Sequence, residues 1–132
     1  MKTVIVTAGV VVEREKVLVT QRKEDSRHGL LWEFPGGKVK EGEEPREALR
    51  RELKEELDIE VEAGMIFEAV YYPYPEYPIL LLAYRCRIDK GVPTPLGCHD
   101  LRWVNLKDLK KLAMPPADGP IRQHLCSSNL VL

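Results

Sequence analysis

The stretch of residues 36–60, GGKVKEGEEPREALRRELKEELDIE, limits what this chain can fold into more than any other. Two glycines and a charged loop lead to Pro45, whose fixed φ and missing N–H suit the first position of a helix. In that helix Glu52, Glu55 and Glu56 stand at positions i, i+3 and i+4, which are neighbours on a helix surface. Carboxylates held so close repel one another, so the arrangement favours a cation between them. Ligation by oxygen alone indicates Mg²⁺ or Mn²⁺.

The remaining faces of the helix predict how it packs. Leu49, Leu53 and Leu57 form a stripe roughly a quarter-turn from the carboxylates, at about 100° per residue. The leucines should therefore pack on a sheet while the carboxylates face a cleft beside it. Arg51 is near enough to hold one carboxylate by a forked ion pair. The alternative is a solvated helix with Glu–Lys and Glu–Arg pairs, which is the more usual arrangement for a charge-rich helix taken alone.

The spacing of these residues resembles the signature of the Nudix hydrolases. That signature runs Gly, five residues, Glu, seven residues, then Arg-Glu-aliphatic-x-Glu-Glu-x-Gly-aliphatic. The chain matches it at Gly37, Glu43, Arg51, Glu52, Leu53, Glu55, Glu56 and Ile59. Asp58 stands where the family has glycine, and aspartate tolerates left-handed backbone better than most residues, so we expect the turn after the helix to be kept. We call residues 36–60 the box. The LLWEFPGGK segment that leads into the box is similar to the corresponding segment of MutT-type members, which cleave nucleoside triphosphates.

The resemblance implies an α/β fold, the Nudix α/β/α sandwich with a mixed, curved sheet. The box would form a loop–helix–loop on one face and a C-terminal helix would cover the other. The implied reaction is Mg²⁺-dependent hydrolysis of a nucleoside triphosphate to the monophosphate and pyrophosphate, with Mn²⁺ as a substitute. The substrate would be a (d)NTP, an oxidised one such as 8-oxo-dGTP, or a CTP-type nucleotide.

The same resemblance assigns the box residues. Glu55 and Glu56 are the first metal ligands, and Glu52 is a third ligand or the base that takes the proton of the attacking water. The carbonyl oxygens of Gly36 or Gly37 can also ligate the metal, because no Cβ blocks the approach. The predicted catalytic residues are Arg51, Glu52, Glu55 and Glu56.

Residues outside the box are implied to bind the substrate. Arg22 closes a strand where MutT-type proteins face the phosphates or sugar, with a solvated strand-end arginine as the alternative. Phe34 is implied as a ring wall against the base, with plain packing as the alternative. Asp118, in PPAD, lies where MutT-type proteins read the base edge. Asparagine there suits an oxidised guanine, whereas an ionised aspartate can accept from an amino group of cytosine or guanine. A helix N-cap is the alternative for Asp118.

Several other positions carry weaker expectations. Many relatives place a metal-binding glutamate about six residues before the tryptophan that corresponds to Trp103. Here Gly97 holds that place, with His99 and Asp100 as nearby substitutes. His28, in a polar loop, is expected to be solvated. The aromatic segment YYPYPEYP of residues 71–78 is expected to be a stiff loop, which either stacks on a base or serves only to pin the loop.

Apolar and alternating runs predict strands on both sides of the box, at Val4–Glu13 and at residues 16–22, 30–34, 61–70, 79–88 and 101–104. The first two should form a hairpin that turns around Glu15, and residues 79–88 should lie in the sheet centre. Trp32 is predicted to be core. A short helix should begin after Asn105 as its N-cap. The last helix should bury Ile121, Leu125 and Leu130.

Composition limits the partners and the compartment. A chain of 132 residues is long enough for one core but not for two, so we expect a single domain over residues 1–132. The 20 basic and 21 acidic side chains nearly balance, which predicts a small nucleotide as partner rather than long nucleic acid or a membrane. No signal-peptide pattern or membrane-length apolar run is present. Cys86, Cys98 and Cys126 are scattered, which favours reduced thiols and a cytoplasmic location.

Two other functions stay open, and so does the choice between a monomer and a homodimer. A pyrophosphohydrolase of a nucleotide sugar or dinucleotide would keep every box residue and differ only in the loops near residues 71–77 and Asp118. A non-catalytic domain that senses a nucleotide would be expected to have lost one of the box carboxylates. Glu52, Glu55 and Glu56 are all present, which disfavours the second of these functions.

Overall fold

The computed structural model describes residues 1–127, which form a mixed sheet and two α-helices. The elements are β1 (Val4–Glu13), β2 (Lys16–Gln21), β3 (Trp32–Glu33), β4 (Gly36–Lys38), α1 (Pro45–Leu57), β5 (Glu60–Pro73), β6 (Pro78–Lys90), β7 (Asp100–Asn105), two 3₁₀ segments (Leu106–Lys111 and Pro116–Asp118) and α2 (Gly119–Ser127). No helix within residues 1–127 has the length and apolar content needed to cross a membrane.

The described strands make a seven-stranded sheet with the path β3-β2-β1-β6-β5, in which β4 also pairs with β1 and β7 with β2. The β1–β6 pair is parallel and the other pairs are antiparallel, so the sheet is mixed, as predicted. β6 lies between β1 and β5, which confirms the central place expected for residues 79–88. Register shifts in the β5–β6 pair bend this part of the sheet.

The β1–β2 hairpin turns where the sequence predicts. Arg14 and Glu15 both have positive φ, 51° and 64°. Two consecutive left-handed residues form the kind of tight turn whose twist matches that of the flanking strands. β2 then carries Val17, Leu18 and Val19 into the interior, where all three are fully buried because the sheet is covered on both faces.

Helix α1 has the boundaries that its sequence predicts. Pro45 is its first residue, and the side chain of Glu44 caps it by accepting the backbone N–H of Glu47. Asp58 ends the helix in the left-handed conformation, at φ 56° and ψ 39°, and its N–H donates to the carbonyl of Lys54. The aspartate therefore performs the backbone role of the glycine that the family has at this position.

Two hydrophobic cores lie on the two faces of the sheet. Leu49, Leu53 and Leu57 of α1 pack with residues of β1, β2, β5 and β6 on one face. Ile121 and Leu125 of α2 pack on the other face, in the core that also contains Trp32. This α/β/α layering, the burial of Trp32 and the buried face of α2 were all predicted. Leu130, the third residue predicted for that face, lies outside the described residues.

Three predicted elements differ from those in the structure. Residues 71–78 are not one loop, because the β5–β6 pairing continues to Pro73 and Pro78 and leaves only residues 74–77 as the turn. Pro73 is tolerated because β5 is an edge strand, and Pro78 because it is the first residue of β6. The predicted strand of residues 30–34 is reduced to β3. The helix after Asn105 is a 3₁₀ segment, and the Asn105 side chain makes no capping hydrogen bond there.

Candidate active site

A cavity of about 460 Å³ lies beside the box helix, and it collects most of the residues singled out from the sequence. Its lining includes Arg22, Phe34, Gly36, Gly37, Glu52, Glu56 and Asp118. Arg51 and Glu55 are outside the lining. The cavity thus joins a carboxylate end, at the box, to an apolar end near Phe34 and Asp118.

The two glycines at the start of the box are required by close packing. A Cβ on Gly37 would overlap the carboxyl group of Glu52, and a Cβ on Gly36 would overlap the backbone of Thr7 and Ala8 in β1. The Thr7 hydroxyl donates a hydrogen bond to the Gly37 carbonyl, at 3.2 Å. The missing side chains therefore let strand β4 and the Glu52 carboxyl share one wall of the cavity.

Arg51 holds several carboxylates at once. Its Nε and Nη2 form a fork on Glu43, at 2.9 and 3.0 Å, while Nη1 donates to Glu52 at 3.0 Å and to Glu55 at 3.3 Å. The hydrogen bond from Arg51 lowers the pKa of Glu43 to about 2, and the bond to Glu43 raises the pKa of Arg51. The fork that the sequence predicts is present, but it holds Glu43 of the loop rather than a carboxylate of the helix.

Glu52 and Glu56 form the half-buried carboxylate pair of the site. Burial, followed by the charges of Glu33 and Glu52, raises the pKa of Glu56 to about 9. A hydrogen bond between the Glu52 and Glu56 side chains contributes to the same shift. Glu55 is turned away, since its side chain is 58% exposed and lies against Arg51. The structure thus brings two of the three predicted carboxylates into the cavity and leaves the third at its rim.

The donor set of this end fits a hard divalent cation. Within residues 1–127 no group of three or more His, Cys, Asp or Glu side chains is arranged to hold a metal ion. Glu52 and Glu56 nevertheless share one wall with the Gly36 and Gly37 backbone. Mg²⁺ commonly uses one or two carboxylates and takes its other ligands from water and substrate phosphates. Burial and the neighbouring carboxylates raise the pKa of Glu56, and a bound cation would oppose that rise.

Position 97 cannot supply the extra glutamate found in many relatives, and the structure shows why. The N–H groups of Leu96 and Gly97 both donate to the Glu56 carbonyl, at 2.9 and 3.0 Å, so this loop closes the end of α1. A Cβ on Gly97 would lie 3.2 Å from the Glu56 Cα. His99 and Asp100, the suggested substitutes, do not line the cavity, and Asp100 accepts the backbone N–H of Leu101 instead.

Glu33 is a cavity residue that sequence reasoning missed. Its two carboxylate oxygens both accept from Nη1 of Arg22, at 3.0 and 3.2 Å. Burial raises the pKa of Glu33 and the Arg22 charge opposes that rise. The charge of Glu33 also raises the pKa of Glu56, at the carboxylate end of the cavity, and the pKa of Asp118, at the apolar end. Glu33 therefore acts on both ends of the cavity. The available signal was one acidic residue inside the apolar run LLWEFP.

The apolar end is built around Phe34 and Asp118. Both are buried, at 3% and 6% exposure. Burial, followed by the charge of Glu33, raises the pKa of Asp118 well above its usual range, and a hydrogen bond with the Phe34 backbone opposes the rise. Tyr74 fixes the turn that carries Asp118, because its hydroxyl accepts the backbone N–H of Ala117 at 3.0 Å. The Asp118 carboxyl is thus held against the backbone of Phe34, the residue that follows β3.

The loop between β2 and β3 covers the cavity. His28, which was expected to be solvated, lines the cavity instead, with its ring 5.3 Å from that of Tyr74. Burial, followed by the charges of Arg27 and Arg22, lowers the pKa of His28. Arg27 and Lys38 also belong to the lining and were not singled out from the sequence, whereas Tyr77, another lining residue, belongs to the aromatic segment of residues 71–78 that was. They come together only because the β5–β6 turn meets this loop.

Comparisons with known proteins agree with this geometry. The sequence profile described as NUDIX domain matches residues 3–125. The CTP pyrophosphohydrolase of Escherichia coli K12 is 47% identical over 121 residues, which cover 92% of this chain and 90% of that protein. The 8-oxo-dGTP diphosphatase of the same organism is 31% identical over 122 residues, with 92% and 95% covered. A solved MutT structure, from a study of the Aliivibrio salmonicida and Vibrio cholerae proteins, superposes with a TM-score of 0.80 at 27% identity and covers 96% of this chain and 98% of that one.

Proposed function

The chain belongs to the Nudix hydrolases, and on that premise we propose that it converts a nucleoside triphosphate to the monophosphate and pyrophosphate. Membership makes it a pyrophosphohydrolase, and Nudix hydrolases generally need a divalent metal. The observation that carries the proposal is the half-buried Glu52–Glu56 pair in a cavity whose other end offers Phe34 and Asp118. One cavity thus provides for both a metal-bound phosphate chain and a base.

Mg²⁺ is the metal that the residues favour, with Mn²⁺ as a substitute. Glu52 and Glu56 would hold it, together with a carbonyl oxygen of Gly36 or Gly37, and Glu55 would join after its side chain leaves Arg51. A bound divalent cation neutralises charge on the bridging oxygens and lowers the pKa of a water molecule. Electrostatic stabilisation of this kind supplies most of the catalysis in phosphoryl transfer.

The surrounding side chains hold the reacting groups in position. Arg51 fixes Glu52 and Glu55 through Nη1 and is fixed itself by its fork on Glu43. Either Glu52 is a third ligand or it takes the proton of the attacking water, and its place at the end of the Arg51 network suits both roles. Arg22, held by Glu33, would face the phosphates or sugar.

Asp118 would read the base edge, with Phe34 as the ring wall. In its neutral form, which burial favours, the carboxyl offers one donor and one acceptor, the same pair that an asparagine amide presents. In its ionised form it accepts from an exocyclic amino group such as that of cytosine or guanine. These two forms fit the activities that the names of the relatives record, on 8-oxo-dGTP and on CTP.

The compartment and the partners are proposed from the composition of the chain. We propose a cytoplasmic enzyme acting on a small nucleotide rather than on long nucleic acid or at a membrane, as a monomer or a homodimer. Cys86, Cys98 and Cys126 are all free thiols. Burial raises the pKa of Cys86 to about 12 and that of Cys98 to about 11, so both stay protonated and unreactive at neutral pH.

A substrate panel tests the proposal. The purified protein is incubated with Mg²⁺ and ordinary or oxidised nucleoside triphosphates, nucleotide sugars and dinucleotides, and pyrophosphate release is scored against phosphate release. We expect a triphosphate to give the monophosphate and pyrophosphate, with CTP or 8-oxo-dGTP among the best substrates. Cleavage of a nucleotide sugar or dinucleotide with no triphosphate turnover would contradict the proposal.

A further inference from the structure

Arg27 is held by aromatic rings over the cavity. Its guanidinium carbon lies 4.5 Å from the ring centroid of Tyr74 and 5.3 Å from that of Tyr77. Its Nη2 is 2.9 Å from a carboxylate oxygen of Glu76. Contacts with two aromatic rings and one carboxylate fix the plane of the guanidinium in the wall of the cavity.

Two of the Arg27 nitrogens have no acceptor. Nε and Nη2 are buried and make no hydrogen bond within the described residues. The contact of Nη2 with Glu76 is an ion pair by distance, but it lacks the alignment of a hydrogen bond. Nε2 of the neighbouring His28 is also buried without a partner among residues 1–127. Because unpaired buried donors are unfavourable, this cluster is arranged for an acceptor that enters the cavity.

The neighbouring residues extend this cluster toward the box. Lys38 directly follows the two glycines, and its Nζ lies 5.1 Å from the Tyr77 centroid. The Tyr77 ring therefore contacts both cations. Hydrogen bonding with Lys38 is the main cause of the lowered pKa of Tyr77, and Arg27 contributes in the same direction. Positive charge thus runs from Arg27 to the strand that carries Gly36 and Gly37.

We propose that Arg27 is a substrate-binding residue whose guanidinium donates hydrogen bonds to the phosphate chain of the nucleotide. This assignment rests on the proposed function and gives a role to a residue outside the box. An anionic partner matches the guanidinium in charge and in its forked geometry. A neutral base edge would accept from the N–H groups but would add no negative charge to that of Glu76, whose side chain is 54% exposed. Arg22 differs from Arg27 because its Nη1 already donates to both carboxylate oxygens of Glu33 and its Nε donates to the Arg27 carbonyl.

Equilibrium binding of inorganic tripolyphosphate with Mg²⁺, measured by calorimetry, tests this assignment without a base or a turnover. We expect Arg27→Gln to weaken that binding about ten-fold or more, since a charge-assisted hydrogen bond is lost. Binding of the free nucleosides cytidine and guanosine should stay unchanged. In turnover with triphosphates, KM should rise by a similar factor for every base while kcat changes less.

Arg102→Gln is the matched control. The Arg102 guanidinium carbon lies 4.6 Å from the Trp32 ring, a comparable aromatic contact, but Arg102 does not line the cavity. This variant should bind tripolyphosphate as the parent does. Arg27→Lys keeps the charge and loses the fork, so its affinity should lie between those of the parent and Arg27→Gln. It also supplies the comparison if Arg27→Gln does not fold.

Two results would overturn the assignment. Equal tripolyphosphate affinity in the parent, Arg27→Gln and Arg27→Lys means that Arg27 does not contact phosphate. An equal loss for nucleosides and tripolyphosphate, or an altered ranking of bases, means that it reads the base or shapes the pocket. Failure of the proposed function looks different, because the parent would then not hydrolyse triphosphates at all while its tripolyphosphate binding still depended on Arg27.

Discussion

Metal binding should release a proton from Glu56. The pKa of this residue is raised to about 9 by burial and by the neighbouring carboxylates, so at pH 7 the carboxyl is protonated in the metal-free protein. A metal ligand must be ionised, so the incoming cation has to displace that proton. With the pKa about two units above pH 7, the displacement costs about 3 kcal/mol of the metal's binding energy.

The sign of the pH dependence follows directly. Below about pH 9 each unit of decrease in pH makes ionisation of Glu56 about ten-fold harder, so the apparent affinity for Mg²⁺ should rise about 100-fold from pH 6 to pH 8. Folding raises this carboxyl's pKa, so its contribution to the stability of the metal-free protein falls as the pH rises toward 9. Bound metal removes that loss, and its thermal stabilisation should be larger at pH 8 than at pH 6.

Calorimetry in buffers of different ionisation enthalpy measures the released protons. We expect close to one proton per bound Mg²⁺ at pH 7. Glu56→Gln should abolish the release and flatten the pH dependence. Asp118→Asn is the matched control, since it removes another buried acid with a raised pKa but leaves the box intact. Release of less than about a third of a proton by the parent, or an affinity independent of pH, would refute the reasoning.

Substitutions at three positions test separate parts of the account. Arg51→Ala should impair turnover and lower the free energy of unfolding by more than the 0–1 kcal/mol of a surface pair. The control is Lys111→Ala, which breaks the exposed pair with Asp108. Parental turnover in Arg51→Ala would mean that Arg51 is only a solvated residue on the helix surface. Asp118→Asn should reorder the preference among cytosine, guanine and oxidised-guanine triphosphates. Asp118→Ala should remove this preference, which we expect to be about ten-fold to a hundred-fold in kcat/KM. An unchanged ranking of substrates with lost thermal stability would make Asp118 a structural residue. Asp58→Gly should leave the free energy of unfolding unchanged or increase it by up to about 1 kcal/mol, because glycine adopts the left-handed conformation more easily. Denaturant titrations measure this change. A clear loss of stability would show that the Asp58 side chain does more than end the helix.

The box helix was predictable because its determinants are local. Pro45, the leucine stripe and Asp58 act within one or two helical turns, and the structure confirms each of them. The Glu52 and Glu56 positions followed from the same periodicity. The place of Glu55 did not, because its rotamer depends on Arg51, which is itself held by Glu43 from the loop before the helix.

The rest of the cavity depends on contacts between distant parts of the chain. Glu33 reaches the cavity because β3 pairs with β2, and Asp118 faces Phe34 because the turn after β7 is anchored by Tyr74 from the β5–β6 turn. Arg27 and Tyr77 are far apart in sequence and meet only when this turn approaches the β2–β3 loop. No periodicity or spacing in the sequence records such meetings, so Glu33 and Arg27 had to be found from the structure, whereas Phe34 and Asp118 were predicted only through the family resemblance.

The rate of pyrophosphate release by Glu56→Gln in saturating Mg²⁺ tests the central claim most directly. The substitution keeps the shape of the side chain and removes the charge that would hold the metal together with Glu52. The account predicts that the parent yields monophosphate and pyrophosphate, and that Glu56→Gln lowers kcat by about two or more orders of magnitude without loss of the fold. Glu47→Gln, an exposed position on the same helix, should keep the parent's kcat. Parental turnover by Glu56→Gln would contradict the assignment of this carboxylate to the metal.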